Sequence, residues 1–403
     1  KKHIIPVDSI IKEDAHDWAY LGIHPKINEI AKKSYQKGNA EIMRQFAILM
    51  KDKNLDYVVI GEGEYVFKQL IGFYSGVCDL PKRGICFRKK GTKEIENRGH
   101  AEFIKNLDLL PKPAYHLIDF LSYCSKYDER KNVDVSYINT IRGCPYKCTY
   151  CASPFHWDRK TTRLRSPESV IEEMRHLKEN YWHATKYDYS ASANITKKES
   201  LKITDNTLVY FVDDVFTVHK KRVKKLLKMM IKQNLGMKWK CEARADHLDD
   251  EICELMAEAG CERVKIGFES GSDRILKQVQ KLETKEEMLI GAEMLKKAGV
   301  PFSAYFMVGF PGETDDDVRQ TIDFAKKIEA DYYSLSVLAP YYGTELYKQL
   351  IKSGHALDKQ PWEYFFHQSP KPMVNDKISK KILEEYLSLS ELNNVNKKGL
   401  GYI

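Results

Sequence analysis

The run Val135-Ser-Tyr-Ile-Asn-Thr-Ile141 leads directly into Arg142-Gly-Cys144-Pro-Tyr146-Lys-Cys148-Thr-Tyr150-Cys151. The first seven residues are rich in β-branched and aromatic types and read as a strand. Gly143 and Pro145 punctuate its end, so the three cysteines fall in a tight loop leaving that strand. Thiolates are soft ligands that suit iron–sulfur iron or zinc. A zinc ion would ask for a fourth nitrogen or sulfur, usually from a second close pair. No further Cys-x-x-Cys or His-x-x-x-His pair occurs in the chain. A cubane cluster normally takes four cysteines, and three from one loop would leave one iron open to a small molecule. On spacing alone, a structural zinc loop or three unrelated reduced cysteines stay open as readings.

Outward from this loop, strands alternate with helices. Strands are expected at 136–141, 207–212, 237–241, 263–267, 302–308 and 333–338. One helix starts at Ser166-Pro-Glu, with serine as N-cap and proline in the first turn; Val170, Ile171, Met174 and Leu177 form its apolar face. Another stops at Gly260, and a third opens with the capping box Thr284-x-x-Glu287. Six βα units fall short of the eight of a closed barrel, which reads as an α/β chain built on an open (β/α)6 partial TIM barrel. The strand bodies read as apolar. Polar residues gather at their carboxyl ends, where parallel α/β folds bind ligands: Asp213 and Asp214, Glu242 and Arg244, Glu269 and Ser270, and Glu313. Any one of these could be a helix cap or a surface charge. Their recurrence at successive strand ends points to an organic-ligand site.

Ahead of the barrel, Asp56-Tyr-Val-Val-Ile60 reads as a strand ending in a Gly-Glu-Gly-Glu turn. Val66, Leu70 and Ile71 then begin a helical face, as in a partial Rossmann-like α/β domain. Residues 84–88 and 94–96 read as a hairpin around Lys89-Lys-Gly-Thr92. The proline-punctuated stretch 107–120 reads as a linker, 183–206 as a polar surface insertion, and 355–403 as a polar, mainly helical tail. The expected organisation is an amino-terminal domain over 1–105, a linker over 106–132, the barrel over 133–353 and the tail over 354–403.

Composition narrows the class. With 403 residues, 43% hydrophobic and 30% charged, the chain is long enough for a sizeable core and ordinary for a globular protein. No apolar run spans a membrane and no signal peptide opens the sequence. Nine cysteines without a small-scaffold pattern suit a reducing, cytoplasmic setting. The net charge of +8 is dispersed, and Lys220-Lys-Arg-Val-Lys-Lys-Leu-Leu-Lys228 has helical periodicity. A solvated helix face is therefore expected there rather than a nucleic-acid surface.

The cysteine loop, with aromatic Tyr150 before its last cysteine, resembles the signature of radical S-adenosylmethionine (SAM) enzymes. The resemblance implies a 4Fe–4S cluster on Cys144, Cys148 and Cys151, with SAM chelating the open iron. It also implies a one-electron donor such as flavodoxin or ferredoxin, and hydrogen abstraction from an organic substrate by a 5′-deoxyadenosyl radical. At matching positions it implies SAM contacts from Asp213, Glu242 toward the ribose, Arg244, Glu269 and Ser270 of Phe268-Glu-Ser-Gly271, and Lys281 toward the carboxylate. Ile60-Gly-Glu-Gly-Glu64, with Gly22-Ile-His-Pro25, is similar to the end of the cobalamin-binding domain that precedes many such cores, as are Gly309-Phe-Pro-Gly-Glu-Thr314 and Pro340-Tyr-Tyr-Gly-Thr344 to that subgroup's strand ends. About sixty residues precede the Gly-Glu-Gly-Glu turn where the family has well over a hundred, and Asp14-Ala-His16 lacks the glycine of the base-off motif. The implied outcome is cobalamin-dependent methylation. The alternatives are methylthiotransferase-like RNA modification and a non-enzymatic iron–sulfur or zinc module.

Overall fold

The computed structural model describes residues 56–89, 91–92, 94–117, 135–153, 162–180, 185–188, 196–200, 208–357, 365 and 374–392, with backbone only for Val135, 185–188 and 196–200. Expectations for Asp14-Ala-His16, Gly22–Pro25, 118–132, 189–195 and 393–403 lie outside the described residues. The chain forms two compact units. One takes residues up to 105 with 150–156 and 339–366, and the other takes 106–149, 157–338 and 367–403.

In the first unit, β1 (Tyr57–Val59), β2 (Ile85–Arg88) and β3 (Ile95–Asn97) make an antiparallel sheet in the order β1-β2-β3. Helix α1 (Glu64–Tyr74) contributes Val66 and Leu70 to a small core with Ile85, Phe87 and Ala101. Ile71, expected on the same apolar face, is 48% exposed. The hairpin at 84–97 forms as its turn residues predict. Gly61 adopts φ +94, and a Cβ there would stand 2.9 Å from His100 Nδ1, so the turn after β1 needs glycine. The buried Glu62 carboxylate accepts from Ile104 N at 2.6 Å. Among the described residues all strand pairs of this unit are antiparallel.

The second unit carries six parallel strands in chain order: β4 (Val135–Ile138), β9 (Leu208–Phe211), β10 (Lys238–Ala243), β11 (Cys261–Glu269), β12 (Phe302–Val308) and β13 (Tyr332–Val337). The intervening labels belong to β5 (Ile141–Arg142) paired with β6 (Arg163–Leu164), and β7 (Thr185–Asp188) paired with β8 (Thr196–Ser200), both antiparallel. The polar stretch expected as an irregular insertion thus contains a strand pair. Between the parallel strands run α2 (Pro167–Asn180), α3 (Lys220–Gln233), α4 (Asp250–Glu258), α5 (Asp273–Gln278), α6 (Lys285–Ala298) and α7 (Asp315–Ile328); α8 (Lys380–Ser388) follows in the tail. The capping box at Thr284 forms, and a second, unforeseen, forms at Thr314 with Asp317.

A sequential parallel order with right-handed crossovers places the helices on one face of the sheet. The main core sits on that face, where Phe211, Trp239, Cys241, Ile266, Phe302 and Ala304 meet Val170, Leu226, Ile252, Met288, Leu295 and Ile322. β4 and β13 are the two edges of the sheet, so the barrel is open, as the count of six units requires. A twisted sheet covered on one side coils about the other, and that other side becomes the interior face. Here one expectation is corrected: the strand bodies are apolar on only one side. Side chains alternate along a strand, and while Trp239, Cys241 and Ala243 enter the core, Lys240 and Glu242 take the opposite face, as do Tyr210, Arg263, Lys265 and Tyr305. Among the described residues no helix is long and apolar enough to cross a membrane.

Candidate active site at the carboxyl ends of the strands

The cysteine loop is anchored before its first cysteine. β4 stops at Ile138, three residues short of the expected strand end, because Asp213 takes over the following backbone. The fully buried Asp213 carboxylate accepts from Thr140 N at 2.6 Å, Thr140 Oγ1 at 2.5 Å and Ile141 N at 2.8 Å, and Asn139 Nδ2 donates to it at 3.3 Å. Burial pushes its pKa up to about 6 against these bonds. Asp213, expected as a ligand contact, is therefore occupied in positioning the chain. Asp214 beside it is exposed. Gly143 adopts φ +101, a conformation glycine takes at little cost. Farther along, the buried Thr149 donates its N–H to Val279 O at 2.9 Å, tying the loop to the end of α5.

Between these anchors Tyr146 carries the loop onto the end of β10. The Arg244 guanidinium lies 3.6 Å from the Tyr146 ring centre, and the Tyr146 hydroxyl bonds His247 Nε2. His247 Nδ1 stands 3.3 Å from Thr217 Oγ1, and burial lowers its pKa to about 4. Arg244 donates to both Asp246 oxygens at 3.0 and 2.9 Å, and to the Lys281 and Leu282 carbonyls at 3.0 and 3.2 Å. Its Nη2 lies 3.4 Å from Glu283 Oε2. Burial opposes the charge, but the bond to Asp246 and the fields of Glu283 and Asp246 hold the guanidinium charged.

The buried Lys281 ammonium lies 3.1 Å from Glu283 and 3.8 Å from Glu269. Burial disfavours its charge, yet Glu283, Glu269 and then Cys148 raise its pKa overall. Glu269 is held back over Gly267 by a left-handed φ of +66 at a bulge between β11 and β12. A non-glycine residue in that region costs about 1–3 kcal/mol, so the packing that aims this carboxylate must offset strain.

Glu242 is half-buried at the β10 end and accepts from the Tyr210 hydroxyl. Ser270, by contrast, is wholly buried. Its hydroxyl meets Thr321 Oγ1 at 3.1 Å and accepts from Ser272 N at 3.1 Å, which commits it to the turn after β11. Glu313 likewise braces its own loop: its carboxylate accepts from Gly309 N at 2.5 Å and Phe310 N at 3.0 Å, and burial lifts its pKa to about 7. Tyr146, Asp246, His247 and Glu283 were not singled out from sequence. Arg244-x-Asp246-His247 and Lys281-x-Glu283 were the available signals, as charged pairs two apart at strand and helix ends.

Cys144 and Cys148 are half-buried in the second unit, and Tyr150 and Cys151 are half-buried in the segment grouped with the first. None of the three cysteines is joined in a disulfide. Burial raises the Cys144 thiol to about 11, so a thiolate there would need a metal's charge to form. Among the described residues no three His, Cys, Asp or Glu side chains close on a point that could hold one ion. The donor set, three thiols within eight residues of an anchored loop, suits iron–sulfur iron by its soft ligands and leaves a fourth iron position to a small molecule.

The sequence pattern of the Radical SAM superfamily matches residues 138–325. An uncharacterized methyltransferase of Pyrococcus horikoshii is 30% identical over 339 residues, 83% of this chain and 67% of that protein. Cytidylyl-2-hydroxyethylphosphonate methyltransferase of Streptomyces wedmorensis is 25% identical over 344 residues, 76% of this chain and 58% of that protein. Among solved structures, the radical S-adenosylmethionine methyltransferase TsrM from Kitasatospora setae, with cobalamin and a 4Fe–4S cluster bound, shares the fold. Its TM-score is 0.55 at 18% identity, covering 75% of this chain and 56% of that one. The chain therefore spans between about half and two thirds of the length of these proteins. The pattern over residues 138–325, which takes in β9 to β12, and a relative at this identity over most of the sequence, place the chain in the radical SAM superfamily of enzymes, which use a 4Fe–4S cluster and SAM.

Proposed function

We propose that Cys144, Cys148 and Cys151 hold the 4Fe–4S cluster, that SAM lies across the carboxyl ends of β10 and β11, and that the reaction is a cobalamin-dependent methylation. The observation that carries the reading is the gathering of Arg244, Glu283, Lys281 and Glu269 on the same strand ends as the loop bearing Cys144 and Cys148. When bound, the cluster supplies the electron that cleaves the SAM sulfonium, chemistry that side chains alone do not perform. This chain's residues supply position and charge. The buried Lys281 ammonium offers a cation to the SAM carboxylate. Glu242 offers acceptors to ribose hydroxyls, and its bond from Tyr210 fixes its direction. Tyr146, clamped between Arg244 and His247, holds the loop at a fixed height over the sheet. The cobalamin part rests on the similarity of Ile60-Gly-Glu-Gly-Glu64 to the cobalamin-domain turn and on the cobalamin bound by TsrM. Flavodoxin or ferredoxin is the class of electron donor that suits the cluster.

Anaerobic reconstitution with iron and sulfide tests the reading. A brown protein is expected whose electron paramagnetic resonance spectrum changes when SAM is added and which forms 5′-deoxyadenosine under reduction. A corrinoid spectrum retained after hydroxocobalamin and desalting supports the cobalamin part. A colourless protein holding stoichiometric zinc would refute the cluster, and a methylthiolated rather than methylated product would favour RNA modification of the methylthiotransferase type.

A further inference from the structure

The interior face of the six-stranded sheet carries a cluster that the cysteine loop does not use. Register sets Lys240 of β10 beside Tyr210 of β9 and Arg263 of β11, and sets Glu242 beside Lys265. The Lys240 and Lys265 ammonium groups lie 4.7 and 4.4 Å from the Tyr210 ring centre, and Lys265 lies 5.9 Å from that of Tyr305. Lys265 donates to the Tyr210 hydroxyl at 3.0 Å, which in turn donates to Glu242. Lys240, Arg263 and Lys265 thus come together on this surface with the Glu242 carboxylate among them.

Lys240 decides what the cluster is for. The residue is only 8% exposed. Among the described residues its ammonium has aromatic contact with Tyr210 and neither a hydrogen bond nor a carboxylate within ion-pair reach. Lysine is seldom buried without a partner, and a desolvated cation is costly unless paired. Contact with one tyrosine ring recovers about 1–2 kcal/mol, which leaves the charge under-compensated. An anion is the ligand that would complete it.

We propose that this face is the substrate site, and that it receives an anionic group, a carboxylate or a phosphate, at Lys240 and Lys265, with the Tyr210 and Tyr305 rings beside the adjoining carbon framework. The proposal rests on the radical SAM reading only in calling the ligand a substrate. Burial first, then the neighbouring Lys265 and Arg263, pull the Lys240 ammonium down to about 7. Among the described residues the groups around it are Tyr210 from β9, Glu242 on its own strand, Glu262, Arg263 and Lys265 from β11, and Tyr305 from β12. A bound anion would favour the proton on Lys240, so affinity falls as pH rises through 7.

The test uses the reconstituted full chain with benzoate and dimethyl phosphate as probes, because each keeps one fixed charge between pH 6 and 8. Calorimetry is expected to show saturable binding at pH 6 and about tenfold weaker binding at pH 8; whichever probe binds tighter identifies the anionic group. Lys240→Met and Lys265→Met are each expected to lose at least tenfold, and Lys240→Arg to retain binding without the pH dependence. Thermal unfolding shows whether each variant is folded, and Lys240→Met is expected to melt no lower than the parent because it removes an unpaired buried charge. Binding of neither probe at pH 6, or binding by folded Lys240→Met within twofold of the parent, overturns the anion site. The cluster's response to SAM is read in the same sample. A normal response without anion binding overturns this inference alone, and anion binding without a response overturns the SAM chemistry alone.

Discussion

Replacing Asp213 by alanine tests how the cysteine loop is set on its strand. The change removes the acceptor for two buried backbone amides, Thr140 N and Ile141 N, and for the Thr140 hydroxyl. Each buried amide left without a partner costs about 1–3 kcal/mol, so the two together cost about 2–6 kcal/mol. Against this stands the cost of burying the carboxylate. Its pKa in the folded chain is about 6, above the ordinary aspartate value of about 3.9. The folded state therefore prefers the protonated acid. The stability this group contributes is complete below about pH 3.9 and declines until about pH 6, by about 3 kcal/mol at 1.36 kcal/mol per pH unit. About half of that is already lost at pH 5. Urea unfolding of parent and Asp213→Ala chains should show the variant less stable at both pH 5 and pH 8, with the gap about 1.5 kcal/mol smaller at pH 8. Iron bound after reconstitution should fall in parallel, since the loop loses its anchor three residues before Cys144. Equal stability, or a gap that does not narrow with pH, would refute the assignment of Asp213 as the loop's anchor.

Other consequences are as direct. Arg244→Met leaves Asp246 and Glu283 without their shared cation and should cost about 3–5 kcal/mol in urea unfolding; Arg244→Lys should not restore it, because one ammonium cannot reach two carboxylates and two carbonyls in a fixed fork. At Gly271 a Cβ would stand 2.7 Å from both Thr321 Cα and Phe324 Cβ, so Gly271→Ala should lower the melting midpoint by an amount equivalent to about 1–3 kcal/mol or more. His247 titrates near 4 in the folded chain against about 6.5 unfolded. The folded state thus resists the proton, and its stability should fall by about 3 kcal/mol as pH drops from 6.5 to 4. His247→Gln should flatten that acid limb in a pH series of unfolding curves. Cys148→Ala should abolish the SAM-responsive cluster spectrum, and an unchanged spectrum would remove Cys148 from the ligand set.

The alternation of strand and helix, the caps at Thr284 and Gly260, the hairpin after Gly84 and the three thiols in one loop were all legible in the sequence. Each depends on residues within a few positions of one another, where side-chain type and backbone preference act directly. What Asp213 does was not legible, because its partners at 140 and 141 lie more than seventy residues away and meet it only when β4 pairs with β9. Ser270 read as a ligand contact for the same reason, its hydroxyl being claimed by Thr321 on α7. The cationic interior face left a local trace in the alternation Lys-Trp-Lys-Cys-Glu-Ala at 238–243. Alternation says that two faces exist; only the parallel register brings Lys240, Arg263, Lys265 and Tyr210 from three strands onto one of them.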